Sequence, residues 1–419
     1  MMRASVIFSG TVLVKSPTLF ISAGEASGEH YGTLLIDALK RRLNGHGLEA
    51  RFVGMGGERM AVAGLARIVR AEDVSVMGLT EVVRHLPHIW REFQRLKAAI
   101  RSEQPAVAVL IDFPEIHLRL ARLFHQLGIP VVYFVSPQIW AWKQHRIHQI
   151  QAHVRRMAVI FPFEAEFYRR HGVKAEFVGH PLAELALPSV SREEFAQANG
   201  LDPQRPWVAL LPGSRPHEIR DHLPELLATA RLLTGYQFLV PLAPTLNAAQ
   251  RDAVRAVVEV QGAGLPVHLV EDARAALHHA RASVVASGTA TVEAALIGNP
   301  FVVIYRVSRL TYAIARRMVK VPHVAMANLI AGRRMVPELL QNEFRAANIA
   351  SHLRPLLADG PARASMMQEL AAMGNSLRPA HGGGPQAANQ TGNLSIERVA
   401  AMVIEELGLE AAGSNGQRG

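Results

Sequence analysis

The sequence predicts an α/β protein of two doubly wound parallel-sheet units facing a cleft. Three observations carry this. Short apolar runs alternate with stretches of helical period along most of the chain. Glycine-bearing turns follow several of those runs, at residues 23–28, 54–57, 212–215 and 287–289. A proline-spaced stretch from Pro181 to Pro206 interrupts the alternation, which restarts at Trp207. A chain of 419 residues with 49% hydrophobic residues supplies core for two such units.

Composition narrows the partners. Lys and Arg number 45 against 35 Asp and Glu, a net charge of +10 that suits nucleic acid, an acidic membrane surface or a phosphorylated substrate. No RNP, KH or zinc motif is present, and the basic residues are interleaved with apolar ones, so nucleic acid is not expected as a partner. The absence of cysteine excludes disulfides, thiolate zinc sites and a cysteine nucleophile, and suits a reducing cytoplasm. The 19 histidines show no HExxH spacing, so no metal site is expected. No run of about 18 apolar residues occurs, which makes any membrane contact peripheral.

Residues 1–17 are read as a dispensable extension. Their apolar run is too short to span a bilayer, and signal-peptide cleavage near Ala23 would remove the first core strand, Thr18 to Ser22. The first unit is expected over 18–185 and the second over 186–380. A linker follows at 381–393, then a helix over 394–408 capped by Ser395, and a disordered tail at 409–419.

In the first unit, strand Thr18 to Ser22 runs into a glycine turn containing Gly24, Glu25, Ser27 and Gly28, then a helix from Glu29 to Arg42. The turn fails the GxGxxG spacing of a dinucleotide site and remains open as a phosphate or sugar loop. Gly54 to Gly57 is read as a structural turn after the strand Arg51 to Val53. From Thr80 to Arg101 apolar residues recur at helical spacing between arginines. The face of Val76, Met77, Leu79, Val82, Val83, Leu86 and Trp90 either belongs to the core or meets membrane and acyl chains. Strand Val107 to Ile111 ends in Asp112-Phe113-Pro114-Glu115, where ligands of open α/β sheets bind. Asp112 and Glu115 are placed there for chemistry, or else for capping and dipole support of the next helix. Strand Val131 to Val135 leads into a loop carrying Trp140 and Trp142.

The second unit opens with strand Trp207 to Leu211 and the turn Gly213-Ser214-Arg215, whose arginine fork suits phosphate. Strands near Gln237, Val267, Ser283 and Phe301 follow. The apolar run Ser283 to Ala286 stops at Ser287-Gly288-Thr289 before an Ala/Leu-rich helix, with Glu293 about one turn in. Free amides at that helix start suit a diphosphate, and Glu293 could then take two ribose hydroxyls; an ordinary βα turn is the alternative. A second basic amphipathic stretch runs from Arg306 to Lys320, and Asn328 to Arg333 reads as a loop.

Taken together, nine collinear stretches resemble the lipid-A-disaccharide synthase family. They are SAGEASGEHYG (from Ser22), VGMGGERM (Val53), VMGLTEVV (Val76), YFVSPQIWAW (Tyr133), FPFEAEFY (Phe161), VGHPLAE (Val178), LLPGSR (Leu210), ASGTATVEAAL (Ala286) and NLIAGRRMVPELLQ (Asn328). The resemblance implies the GT-B arrangement of two Rossmann-like domains. It also implies an inverting, metal-independent transfer from UDP-2,3-diacylglucosamine to the 6-hydroxyl of 2,3-diacylglucosamine 1-phosphate, on the cytoplasmic face of the inner membrane. UDP is then a product rather than a cofactor. Arg215, Glu293 and Asn328 match positions such enzymes use for UDP, with Glu293 on the ribose. The family's catalytic carboxylate is the second acid of an IDxPDF-like stretch, here Glu115 followed by Ile116 and His117. That departure leaves the base between Glu115, the preferred assignment, and Asp112. Arg334 stands where the family commonly has Glu, and Glu29 where it has Asp. A UDP-sugar epimerase is the rival reading: it would share the fold and the nucleotide turns but have no use for an acyl-compatible first unit.

Overall fold

The computed structural model of the protein describes residues 16–74, 79–308, 312, 321–379 and 393–409. Val76 and Met77 lie outside the described residues, as do the side chains of Leu79, Val82, Val83 and Leu86, most of the basic stretch 306–320, the linker glycines 382–384 and the tail beyond 409.

Thirteen strands among the described residues build two all-parallel sheets. The first holds β1 (Thr18–Ala23), β2 (Arg51–Gly56), β3 (Leu65–Arg70), β4 (Val107–Ile111), β5 (Val131–Phe134), β6 (Arg156–Val159) and β7 (Ala175–Phe177), in the order β3-β2-β1-β4-β5-β6-β7. The second holds β8 (Trp207–Leu211), β9 (Gln237–Pro241), β10 (Val267–Val270), β11 (Ala282–Ala286), β12 (Phe301–Tyr305) and β13 (Glu338–Leu340), in the order β10-β9-β8-β11-β12-β13. The doubly wound α/β class is therefore the one observed. Central strands β1, β4, β8 and β11 are apolar and almost wholly buried, as sheets covered by helices on both faces require.

In both sheets the order reverses once, between β1 and β4 and between β8 and β11. The crossovers leave for opposite faces at those points, so the loops beyond the carboxyl ends of these four strands are splayed apart into crevices. The four loops are residues 24–25, 112–113, 212–215 and 287–288.

Several elements differ from the sequence reading. Of Asn328 to Arg333, read as loop, the first four residues belong to the short helix α12 (Met326–Ala331, numbering the described helices in chain order). Edge strands β3 and β13 were not anticipated. Ser395 does not cap the last helix, α15 (Leu394–Glu406): the N-cap is Asn393, and the Ser395 hydroxyl donates instead to Glu184. That helix crosses back onto the first sheet's helices. It packs against α1 (Ala26–Gly45) with Ile396, Val399, Ala400 and Val403 buried, and Glu397 pairs with Arg41 and Arg42, each at 2.8 Å. The backbone of His180 also donates to Leu377 O at 2.9 Å, so the chain's last described segments close against the connection between the sheets.

Candidate active site

At the first switch point, the loop after β1 meets the loop after β4. A Cβ on Gly24 would lie 2.4 Å from the Phe113 ring, so only glycine admits this contact. A Cβ on Gly28 would meet Ala23 and Ile111 at ordinary contact distance. Asp112 and Phe113 both adopt left-handed backbone, φ 51° and 50°, a conformation that costs non-glycine residues about 1–3 kcal/mol each. The surroundings hold it in place. Tyr133 Oη and His117 Nδ1 both donate to the Asp112 carbonyl at 2.6 Å, and Ser22 Oγ donates to His117 Nε2 at 2.8 Å. Burial lowers the His117 pKa to about 4, which keeps the imidazole neutral and the clamp in one tautomer.

This clamp sets the Asp112 carboxyl. Phe113 is the N-cap of α4 (Pro114–Gln126) and no side chain caps that helix, so the Asp112 carboxylate is not consumed in capping. Burial, then the nearby Glu25 carboxylate, push its pKa up to about 7, while the Phe113 amide pulls the other way. A carboxylate of that basicity at a strand end is suited to accept a proton near neutral pH. Glu115, three residues on, is in a different position. It is exposed, and its oxygens take Arg146 Nη2 at 2.7 Å and Lys143 Nζ at 3.2 Å. Although its partial burial acts in the opposite direction, the hydrogen bonds and charges of those two cations hold its pKa below the ordinary glutamate value.

The two cations come from the loop after β5. Trp140 is buried there and donates Nε1 to Glu164 at 3.0 Å, and Ser136 Oγ donates to the same oxygen at 2.7 Å. Trp142 is partly exposed, with the Lys143 ammonium 4.1 Å from its ring centroid. Sequence reasoning noticed the tryptophans and missed Arg146. The signal available was a pair of cations three residues apart, just beyond the carboxyl end of β5.

At the second switch point, Gly213 has φ 125°, and a Cβ there would fall 2.5 Å from the Glu218 carboxylate. That carboxylate accepts from the amides of Ser214 (3.2 Å) and Arg215 (3.3 Å) and faces Arg215 Nη1 at 3.4 Å. The loop amides are thus taken within the protein, and the partly exposed Arg215 guanidinium is the group this turn presents. His222 Nδ1 donates to Pro212 O at 2.6 Å, and Nε2 accepts from Arg306 N at 3.2 Å, which straps the turn to the end of β12.

The neighbouring turn is built differently. Gly288 has φ 150° with open space where a Cβ would stand, and no side chain caps α11 (Thr289–Ile297). Ser287 donates its amide to Ile304 O, and Thr291 donates both its Oγ1 (2.7 Å) and its amide (3.0 Å) to Gly288 O, fixing the turn; no side chain caps the remaining amides of the helix start. Glu293 lies on that helix with Arg274 Nη1 3.1 Å from Oε1; Arg274 Nη2 donates to Ala186 O at 2.9 Å. Asn328 is fully buried. Its Nδ2 donates to Val336 O and Glu338 Oε1, and its Oδ1 accepts from the amides of Met335 and Val336. Its amide is saturated within the protein, so its effect on a ligand is to place α12 and the loop after it.

Tyr31, buried on α1, has its phenol pKa raised by burial, then by the charges of Glu293 and Asp112, so one side chain lies within electrostatic reach of both carboxylates. Among the described residues no group of three His, Asp or Glu could hold a metal ion, and no helix is long and apolar enough to cross a membrane.

The family described as lipid-A-disaccharide synthetase matches residues 19–381. The lipid-A-disaccharide synthase of Acidobacterium capsulatum is 55% identical over 95% of this chain and 98% of its own. The chain belongs to the lipid-A-disaccharide synthase family. Solved structures similar to it include the calicheamicin glycosyltransferase (TM-score 0.56, 15% identity, 94% of this chain and 99% of that one). A UDP-N-acetylglucosamine 2-epimerase also aligns (TM-score 0.56, 10% identity, 94% and 97%). At such identities these structures speak for the GT-B fold alone. Membership of the synthase family at 55% identity separates the chain from the epimerases that share its architecture.

Proposed function

We propose that the protein is an inverting glycosyltransferase that joins two acylated glucosamines in lipid A assembly. The donor is UDP-2,3-diacylglucosamine, the acceptor 2,3-diacylglucosamine 1-phosphate, and the products the disaccharide 1-phosphate and UDP. Beyond family membership, the observation that carries the reading is the pairing of a basic carboxyl at the end of β4, Asp112, with an uncapped helix start at the end of β11, Gly288–Thr289, the charges of Asp112 and of Glu293 on that helix both acting on Tyr31.

UDP lies along the second switch point. Its diphosphate meets the uncapped amides of α11 and the Arg215 guanidinium, and its ribose hydroxyls donate to Glu293. The acceptor enters from the first switch point, beside Gly24, Glu25, Ser27 and Gly28. Its 6-hydroxyl gives its proton to Asp112 as the oxygen attacks the anomeric carbon. The bond from that carbon to the diphosphate oxygen breaks on the opposite face, which inverts the configuration. Charge on the leaving diphosphate is met by the helix start and Arg215, so the reaction needs no metal. The family pattern favours Glu115 as base; the geometry favours Asp112, because Glu115 is tied to two cations while Asp112 is held basic.

Both substrates are lipids, so the enzyme works at the cytoplasmic face of the membrane. Trp90, 65% exposed on α3 (Leu79–Glu103) among arginines, supports that surface as the peripheral contact. The test is a turnover assay with both acylated substrates. Disaccharide and UDP in equal amounts are expected; epimerisation of UDP-N-acetylglucosamine without disaccharide would overturn the proposal.

A further inference from the structure

Glu115, Lys143 and Arg146 form a charged cluster that the transfer chemistry above does not use. Its composition is unbalanced. One carboxylate meets two cations, and the carboxylate is the more open partner: its side chain is 54% exposed, against 25% for Lys143 and 15% for Arg146. The cations are fixed in advance. Lys143 holds left-handed backbone (φ 52°) with its ammonium over the Trp142 ring, and Arg146 ends the short 3-10 turn Gln144–Arg146. A non-glycine residue kept in that conformation is a cost retained where the position of the side chain matters.

The cluster also lies beside the reacting centre. Glu115 lies in the first turn of α4, three residues beyond Asp112. Arg146 is close enough to Tyr133 for its charge to act on the phenol whose hydroxyl donates to the Asp112 carbonyl. A hexosamine 1-phosphate carries its 6-hydroxyl and its anomeric phosphate on the two ring carbons that flank the ring oxygen, so one sugar presents both. A base that takes the proton of the first therefore has the second about one sugar away. A phosphate monoester brings close to two negative charges and three acceptor oxygens, which two cations match better than a single carboxylate does.

We propose that Lys143 and Arg146 are the subsite for the acceptor's anomeric phosphate, and that Glu115 occupies them until the phosphate displaces it. The inference rests on the glycosyltransferase reading and deepens it. Arg146 takes the phosphate through its planar fork, Lys143 as a point charge, and the released Glu115 turns to solvent.

Two acceptors separate the outcomes: 2,3-diacylglucosamine with and without its 1-phosphate. Lys143→Ala and Arg146→Ala are expected to raise KM for the phosphorylated acceptor at least tenfold, with donor KM unchanged and kcat within threefold. Their kcat/KM for the phosphate-free acceptor should equal that of the native enzyme. Glu115→Gln is expected to lower KM for the phosphorylated acceptor, since it removes the internal competitor. Equal losses with both acceptors in the Lys143 and Arg146 variants would overturn the proposal, as would a fall in kcat of a hundredfold or more with both acceptors in Glu115→Gln. Should Arg146→Ala not fold, Arg146→Lys and Lys143→Ala carry the same comparison. Calorimetry with glucosamine 1-phosphate and glucosamine reads the site without turnover. Preference for the phosphate that is lost in Lys143→Ala supports the subsite even if no disaccharide forms, and absence of that preference in the native protein refutes it.

Discussion

Replacing Asp112 with Asn keeps the size of the side chain and removes its basicity, and the structure fixes what should follow. Loss of a positioned base costs roughly 10² to 10⁴ in kcat, with donor affinity little changed. Stability should move the other way. The native carboxyl titrates at about 7 instead of 3.8, so folding favours its protonated form. Its contribution is complete below pH 3.8 and is lost as pH rises through 7; the difference corresponds to at most about 4 kcal/mol. The Asn variant carries no such penalty. It should match the native protein near pH 4 and melt higher at pH 8, by scanning calorimetry across that range. Native kcat/KM should climb about tenfold per pH unit below 7 and level off above it. Measuring this with the phosphate-free acceptor removes the phosphate's own titration near pH 6. An Asn variant with near-native turnover, or one that loses stability at pH 8, would refute the assignment. An inert but folded Glu115→Gln would then return the base to Glu115.

Glu293→Ala and Arg215→Ala should each weaken UDP binding by roughly 1.5–3 kcal/mol, the range for a hydrogen bond to a charged group, without unfolding the protein. Unchanged calorimetric affinity in both would remove UDP from the second switch point. Turnover should persist in excess EDTA; a loss restored by magnesium would contradict the metal-free scheme. The protein should co-sediment with anionic vesicles at low salt and leave them at about 1 M salt, where the Debye length falls to about 3 Å. Trp90→Ala should reduce that binding, and an unchanged vesicle affinity would place the contact elsewhere.

The alternation of apolar runs, glycine turns and helical periods was legible because these signals are local. A buried central strand such as β4 or β11 must be apolar on both faces, and a tight turn such as Ser287–Gly288 must carry its glycine wherever the strand goes. The candidate loops were found for the same reason: in a doubly wound sheet they follow strand ends. Short edge elements escaped. β3 and β13 have one strand neighbour each and α12 is only six residues long, so their patterns are weak.

What the sequence by itself left open was the state of each charged group, because that depends on partners far along the chain. Glu115 and Asp112 are three residues apart and look interchangeable as carboxylates. Only folding brings Arg146, 31 residues on, to the one and Glu25 with the desolvating strand ends to the other. Asn328 reads as a polar ligand until Glu338 and the amides of Met335 and Val336 are seen to consume its amide. The last helix carries an apolar face that fits either sheet, and only the fold shows it buried against α1, with Glu397 paired to Arg41 and Arg42 over 350 residues away. Periodicity specifies the elements because backbone geometry is local. The charge states and the free amides arise only when strand order β1-β4 and β8-β11 brings distant loops together, since burial and Coulomb energy depend on distance in space rather than along the chain.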